Sequence, residues 1–139
     1  MKHTLINVFL FLSFIFSVGI SGSIRVVNRV NNSMDDIATL DRLRGTYVST
    51  KDISRILAKR DPFINKERGK MVLYIDNHRI KISGNSSFIL IDEQVYQMPM
   101  YAIVTHNDIF LPAESFFDIL KRTVLPGINY DPRRMVLDI

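Results

Sequence analysis

The hydrophobic positions of this chain switch between two periods, and the switches mark out its elements. Ile24-Arg25-Val26-Val27 reads as a short strand, and the polar stretch from Asn28 to Asp36, centred on Asn31-Asn32-Ser33, reads as a loop or ragged arm. Ile37 to Arg44 fits either a strand or one weak helical turn, and Gly45 then sets a turn before the strand Thr46-Tyr47-Val48. Ser49 has the place of an N-cap, with Asp52 three residues on completing a capping-box pattern. Ile53, Ile56 and Leu57 fall on one helical face and Lys51, Arg55 and Lys59 on the other, with Asp61-Pro62 as the stop.

Alternation at period two takes over after Pro62. Phe63-Ile64, Met71 to Ile75 and His78 to Ile82 read as successive antiparallel strands, turning at Lys66-Glu67-Arg68-Gly69 and at Asp76-Asn77. Phe88 to Ile91 and Val95 to Met98 form a further hairpin about Asp92-Glu93, and Tyr101 to Val104 and Asp108 to Leu111 flank Thr105-His106-Asn107. Pro112 suits the first turn of a second helix, with Phe116, Ile119 and Leu120 as its buried face and Pro126-Gly127 as its stop. The sum is α+β, mostly short antiparallel strands with two helices sharing one core.

The pattern also recurs. Ile64-Asn65 followed by Met71-Val72-Leu73-Tyr74-Ile75 returns as Ile128-Asn129 followed by Met135-Val136-Leu137-Asp138-Ile139, with six of twelve aligned positions identical. Background usage gives roughly one. Tyr47-Val48-Ser49 ahead of Ile56-Leu57 likewise matches Phe110-Leu111-Pro112 ahead of Ile119-Leu120. A strand-helix-hairpin unit used twice, at about 46–82 and 109–139, is the expectation.

Ahead of this body, Met1 to Ser23 has the layout of a secretory signal peptide: a basic start at Lys2, an apolar run from Leu5 to Ile20, and small residues Ser21-Gly22-Ser23. A retained anchor is the alternative, but the run is short and Asn7, Ser13 and Ser17 interrupt it. The expected organisation is therefore a signal peptide (1–23), an N-terminal strand and linker (24–44) and one domain (45–139). Export is therefore expected, with membrane contact only through the signal segment. Cysteine is absent, so the fold has no disulfide to lean on. Lys and Arg number 18 against 14 Asp and Glu, a mild excess that gives no reason to expect nucleic acid as a partner.

Catalytic signatures are missing. His78 lies near Asp76 and His106 near Asp108, yet no spacing of the His-Glu-x-x-His kind occurs. There is no Gly-x-Ser-x-Gly elbow and no Gly-rich phosphate loop, and the acid pairs Asp35-Asp36 and Asp92-Glu93 fall in polar turns. No catalytic, cofactor-binding or metal-ligating residue is therefore assigned, and no cofactor is expected. What remains are basic hairpin turns: Lys66, Arg68 and Lys70 in the first copy and Arg133-Arg134 in the second. They are placed to meet carboxylates or phosphates of an anionic polymer or a partner, although charged turns are also ordinary solvated surface. Among Tyr74, Tyr96, Tyr101 and Tyr130, whose rings suit stacking on sugars, Tyr130 stands next to a basic turn.

The repeated unit resembles the family named after the N-terminal domain of copper amine oxidases. The residues that carry the resemblance are Tyr47-Val48-Ser49-Thr50-Lys51-Asp52-Ile53, Ile64-Asn65-Lys66 and Met71-Val72-Leu73. They answer to Phe110-Leu111-Pro112-Ala113-Glu114-Ser115-Phe116, Ile128-Asn129-Tyr130-Asp131 and Met135-Val136-Leu137. Gly84 to Phe88 and Val95 to Pro99 look like the middle of the same module. Tyr130 takes the aromatic place before Asp131, where the first copy has Lys66. The form most similar precedes zinc-dependent N-acetylmuramoyl-L-alanine amidases. The resemblance thus implies a non-catalytic accessory module of the cell envelope, with peptidoglycan or an envelope protein as partner and the amidase domain lying beyond Ile139 in a longer protein. It does not import copper, whose site in those oxidases belongs to a separate domain. A stand-alone periplasmic structural or interaction domain is the alternative, and the sequence leaves oligomeric state open.

Overall fold

A computed structural model describes residues 22–139, so the expected signal peptide lies outside the described residues except for Gly22 and Ser23. Those two open the first strand, β1 (Gly22–Asn28). It pairs antiparallel with β2 (Ser33–Arg42) from Gly22↔Thr39 to Asn28↔Ser33. The stretch expected to be a loop and linker is therefore a complete hairpin. Its turn is closed by the Asn28 carboxamide oxygen, which accepts from the Val30 and Asn31 amides, and by Asn32 at φ 59°. The polar run misled because Met34, Asp35 and Asp36 occupy an exposed strand end, whereas Ile24, Val26 and Ile37 enter the core.

β3 (Gly45–Ser49) runs back along β2 and leads into α1 (Thr50–Leu57). The Ser49 hydroxyl accepts from the Asp52 amide, as an N-cap should. The Asp52 carboxylate, however, does not close a capping box. It accepts instead from the Ala38 amide in β2 at 2.9 Å, while Ser49 sits in the ladder opposite Phe110. The helix also ends sooner than Asp61-Pro62: Ala58 is the C-cap and Lys59 turns left-handed at φ 56°. Asp61 then bonds the Arg55 guanidinium at 2.6 Å.

Five strands follow in an antiparallel meander: β4 (Phe63–Asn65), β5 (Lys70–Ile75), β6 (His78–Ser83), β7 (Phe88–Ile91) and β8 (Gln94–Gln97). The expected tight turns carry positive φ at both central residues, 47° and 64° at Asp76-Asn77 and 49° and 69° at Asp92-Glu93. This matches the twist of the flanking strands. β9 (Ile103–Val104) and β10 (Ile109–Pro112) return to the first sheet, where β10 pairs with β3. Pro112 stands just before α2 (Ala113–Thr123) as its N-cap rather than inside its first turn. β11 (Asn129–Asp131) and β12 (Val136–Asp138) close the chain.

Among the described residues the result is α+β, two helices with mostly antiparallel strands in two sheets. The first sheet has the order β11-β12-β1-β2-β3-β10-β9 and the second β4-β5-β6-β7-β8. β12 lies parallel to β1, the one parallel ladder described. One core joins everything: Ile24, Val26, Val48 and Leu111 from the first sheet meet Met71, Leu73, Ile82 and Ile89 from the second. Ile53 of α1 and Phe116 and Leu120 of α2 complete it. A smaller cluster of Leu40, Tyr47 and Phe110 lies on the other face of the first sheet.

Candidate functional site

The densest polar geometry surrounds Asp108, in the loop before β10. Its carboxylate accepts from the Ser49 hydroxyl at 2.5 Å, from the Lys51 amide at 3.1 Å and from the Ile109 amide at 2.8 Å. Thr50, fully buried beside it, donates its hydroxyl to the Ile109 carbonyl at 2.6 Å. Asp108 thus acts as a cap for α1 supplied from 57 residues away. Burial pushes its carboxyl above the usual range, outweighing the hydrogen bonds from Ser49, Lys51, Ile109 and Thr50. No local motif could have disclosed this role, because the contact is made entirely by tertiary structure.

Asp108 also borders an open cavity of about 640 Å³. Leu40, Ile103 and Phe110 give it an apolar floor, and Arg42, Lys51 and His106 stand at its rim. Its two acids are committed, Asp52 to the Ala38 amide and Asp108 to the helix start. His78 lies elsewhere, with Nδ1 at 2.5 Å from Asp92 Oδ2 rather than against Asp76. The Arg79 amide and His78 together hold the Asp92 carboxyl below its ordinary range. Among the described residues, no group of three His, Cys, Asp or Glu side chains is placed to hold a metal ion.

The basic turns occupy two different sheets. Lys66 and Lys70, at the β4–β5 turn, line a small cleft with His106 and Asn107, and the Lys66 ammonium donates to the Asn107 carboxamide at 2.9 Å. Arg68 is in the same turn, its amide bonded to the Asn65 side chain. Arg133 and Arg134 form the β11–β12 turn, their amides gathered by the Asp131 carboxylate. Tyr130 lines two other clefts, which share no residue with the Lys66 cleft. Its ring packs on Phe117 with centroids 4.8 Å apart, so one face is already used. Burial, reinforced by Glu114, Asp131 and Asp41, pushes its phenol up to about 12. Of the other tyrosines, Tyr96 packs on the core, and Tyr101 is 67% exposed.

No family model, curated protein or solved structure matches this chain. Among the described residues no helix is long and apolar enough to cross a membrane.

Proposed function

We propose that this protein is an exported, non-catalytic module of the bacterial cell envelope, built from a duplicated unit and acting by binding or positioning at the wall. On this reading it is similar to the accessory domain that precedes N-acetylmuramoyl-L-alanine amidases, with peptidoglycan or an envelope protein as its partner. Such a module works by local concentration, raising the encounter rate of whatever it is joined to.

The observation that carries the duplication is the pairing of β3 with β10. Tyr47, Val48 and Ser49 answer in sequence to Phe110, Leu111 and Pro112, and the ladder sets Tyr47↔Pro112, Val48↔Leu111 and Ser49↔Phe110. Each residue faces the counterpart of its mirror position, as a two-fold axis through Val48 and Leu111 requires. The order strand, helix, strand, strand also occurs twice, as β3-α1-β4-β5 and β10-α2-β11-β12. Structural use of the polar groups supports a binding role: Ser49, Thr50, Asp52 and Asp108 are spent on fixing α1, while Lys66, Arg68, Lys70, Arg133 and Arg134 lie in or beside exposed hairpin turns.

Co-sedimentation of the protein, purified from cells that export it, with isolated peptidoglycan tests this. The expected result is sedimentation that weakens with salt and releases no soluble muropeptide in the presence of zinc. Protein left in the supernatant at low salt, or a wall that is solubilised, would overturn the reading.

A further inference from the structure

The second sheet buries one face in the core and turns the other outward. Met71, Leu73, Ile75, Ile80, Ile82, Ile89 and Ile91 point into the core, so the alternate residues of the same strands point outward. The register sorts these outward residues into rows that cross the strands. One row is Phe63–Val72–Lys81–Leu90–Val95. A second begins Asn65–Lys70–Ser83, and continuing the β6–β7 register by one residue brings it to Phe88–Gln97. Each row contains an exposed phenylalanine and a lysine. Phe63 is 66% exposed, Phe88 46% and Val95 62%.

We propose that this outer face binds a carboxylate-bearing glycan strand; the inference rests on the wall-binding reading and gives that reading a surface. Five strands at a spacing of about 4.8 Å make each row roughly 19 Å long, enough for an extended polymer to lie across the sheet. The Phe63 ring is held in place. Phe63 stands edge-on to Tyr74, with centroids 6.1 Å apart and planes at 85°, and the Arg60 guanidinium lies 4.8 Å over the Tyr74 ring. Rings fixed before binding lose little freedom when a sugar ring stacks on them.

The charges say what kind of sugar. Lys70, Arg79 and Lys81 point out of this face, and no carboxylate occupies either row. Glu93, at the β7–β8 turn, draws Lys81 to 2.6 Å and Arg79 to 3.7 Å. Lys70 is at the opposite end of the sheet, next to the turn that holds Lys66 and Arg68, with Glu67 as that turn's one acid. That end is positive and also displays Asn65, Ser83 and Gln97, which suit hydroxyl groups. A second copy of the same face would set lysine against lysine. An acidic peptide finds its backbone partners at a sheet edge rather than across the strands.

Electrophoresis through gels containing polygalacturonate, a carboxylated glycan, with polyglutamate gels for comparison, tests the face directly. Expected is retardation by polygalacturonate that Phe63→Ala and Phe88→Ala each weaken about threefold to tenfold. The pair Lys70→Glu with Lys81→Glu should remove it at 0.15 M salt. Both phenylalanines are exposed, so their truncation leaves the fold intact; should Lys81→Glu unfold the sheet by facing Glu93, Lys70→Gln alone supplies the charge readout. Retardation unchanged by both Phe replacements, or equally strong in polyglutamate, overturns the inference. Peptidoglycan sedimentation separates this from the reading beneath it. Sedimentation that persists in every face variant refutes the face and leaves wall binding standing. Loss of sedimentation in the unaltered protein, with ring-dependent retardation retained, refutes wall binding and leaves the face.

Discussion

Replacing Asp108 tests whether α1 is held by its distant cap. In Asp108→Ala the Lys51 and Ile109 amides and the Ser49 hydroxyl lose their acceptor together. Loss of an N-cap side chain costs about 0.5–2 kcal/mol. Donors left half-buried without a partner add about 1 kcal/mol where water reaches them in part. The expected loss is therefore about 1.5–3 kcal/mol, or roughly 5–18 °C in Tm for a domain of this size. Asp108→Asn is gentler, at about 1 kcal/mol. One carboxamide oxygen still accepts from both amides, and Ser49 can turn from donor to acceptor.

The pH dependence sharpens the test. Because the Asp108 carboxyl is raised by burial in the folded protein, the native state holds its proton more tightly than the unfolded chain does. The contribution of this group to stability is thus fully present below the unfolded value, about 3.9. It is lost as pH rises through the folded value. Asp61, Asp92 and Glu93 are lowered and act in the opposite sense, but they do so equally in parent and variant and cancel in the difference. Urea unfolding of the parent and Asp108→Asn across the acid range should show a gap that is wider at low pH than at neutrality. A gap independent of pH, or Asp108→Ala within about 0.5 kcal/mol of the parent, would refute the argument.

Gly84→Ala should cost about 1–3 kcal/mol, since a Cβ there would lie 2.0 Å from Val104 Cγ2; thermal melts should show much of that loss recovered by adding Val104→Ala. Thr39→Val should stabilise by about 1 kcal/mol, because Thr39 is fully buried and its hydroxyl has no partner among the described residues; a lower urea midpoint would argue against this. Tyr130→Phe should flatten the alkaline loss of stability. The phenol is raised to about 12 in the folded protein, so its contribution disappears as pH climbs from about 10, its unfolded value. Ultraviolet titration should lose a tyrosinate step at about pH 12 in the same variant.

Local chemistry was legible wherever a backbone constraint has a residue signature. Asp76, Asn77 and Asp92 announced their turns because left-handed φ favours Asp and Asn, and Ser49 announced the start of α1. Lys59 takes the same left-handed conformation with no glycine to signal it, so the early end of α1 could not be read. β2 was obscured because half its length lies beyond the core, where polar residues cost nothing. For the surface, adjacent Phe63 and Ile64 gave no sign of which faces out, since that depends on the register of β4 against β5. Tyr130 looked free in sequence, and only Phe117, thirteen positions earlier, reveals that its ring is occupied.

The two helices are secured in different ways, and the proposed duplication makes the difference intelligible. Aligning β10 with β3 puts Gly45 where the second unit has Asp108. Gly45 has no side chain to cap α2, and Pro112 makes no side-chain cap bond either. α2 tolerates this because it is longer and buries Phe116, Phe117, Ile119 and Leu120, each worth about 1.5–3 kcal/mol of apolar transfer. α1 has eight residues and buries Ile53 as its one large apolar side chain. So short a helix is marginal on propensity alone. Its polar start, joined to Asp108 and through Asp52 to β2, must supply what packing does not. The polar cluster beside the 640 Å³ cavity is thus explained by what it holds in place, and on the proposed reading binding is left to the outer face of the second sheet.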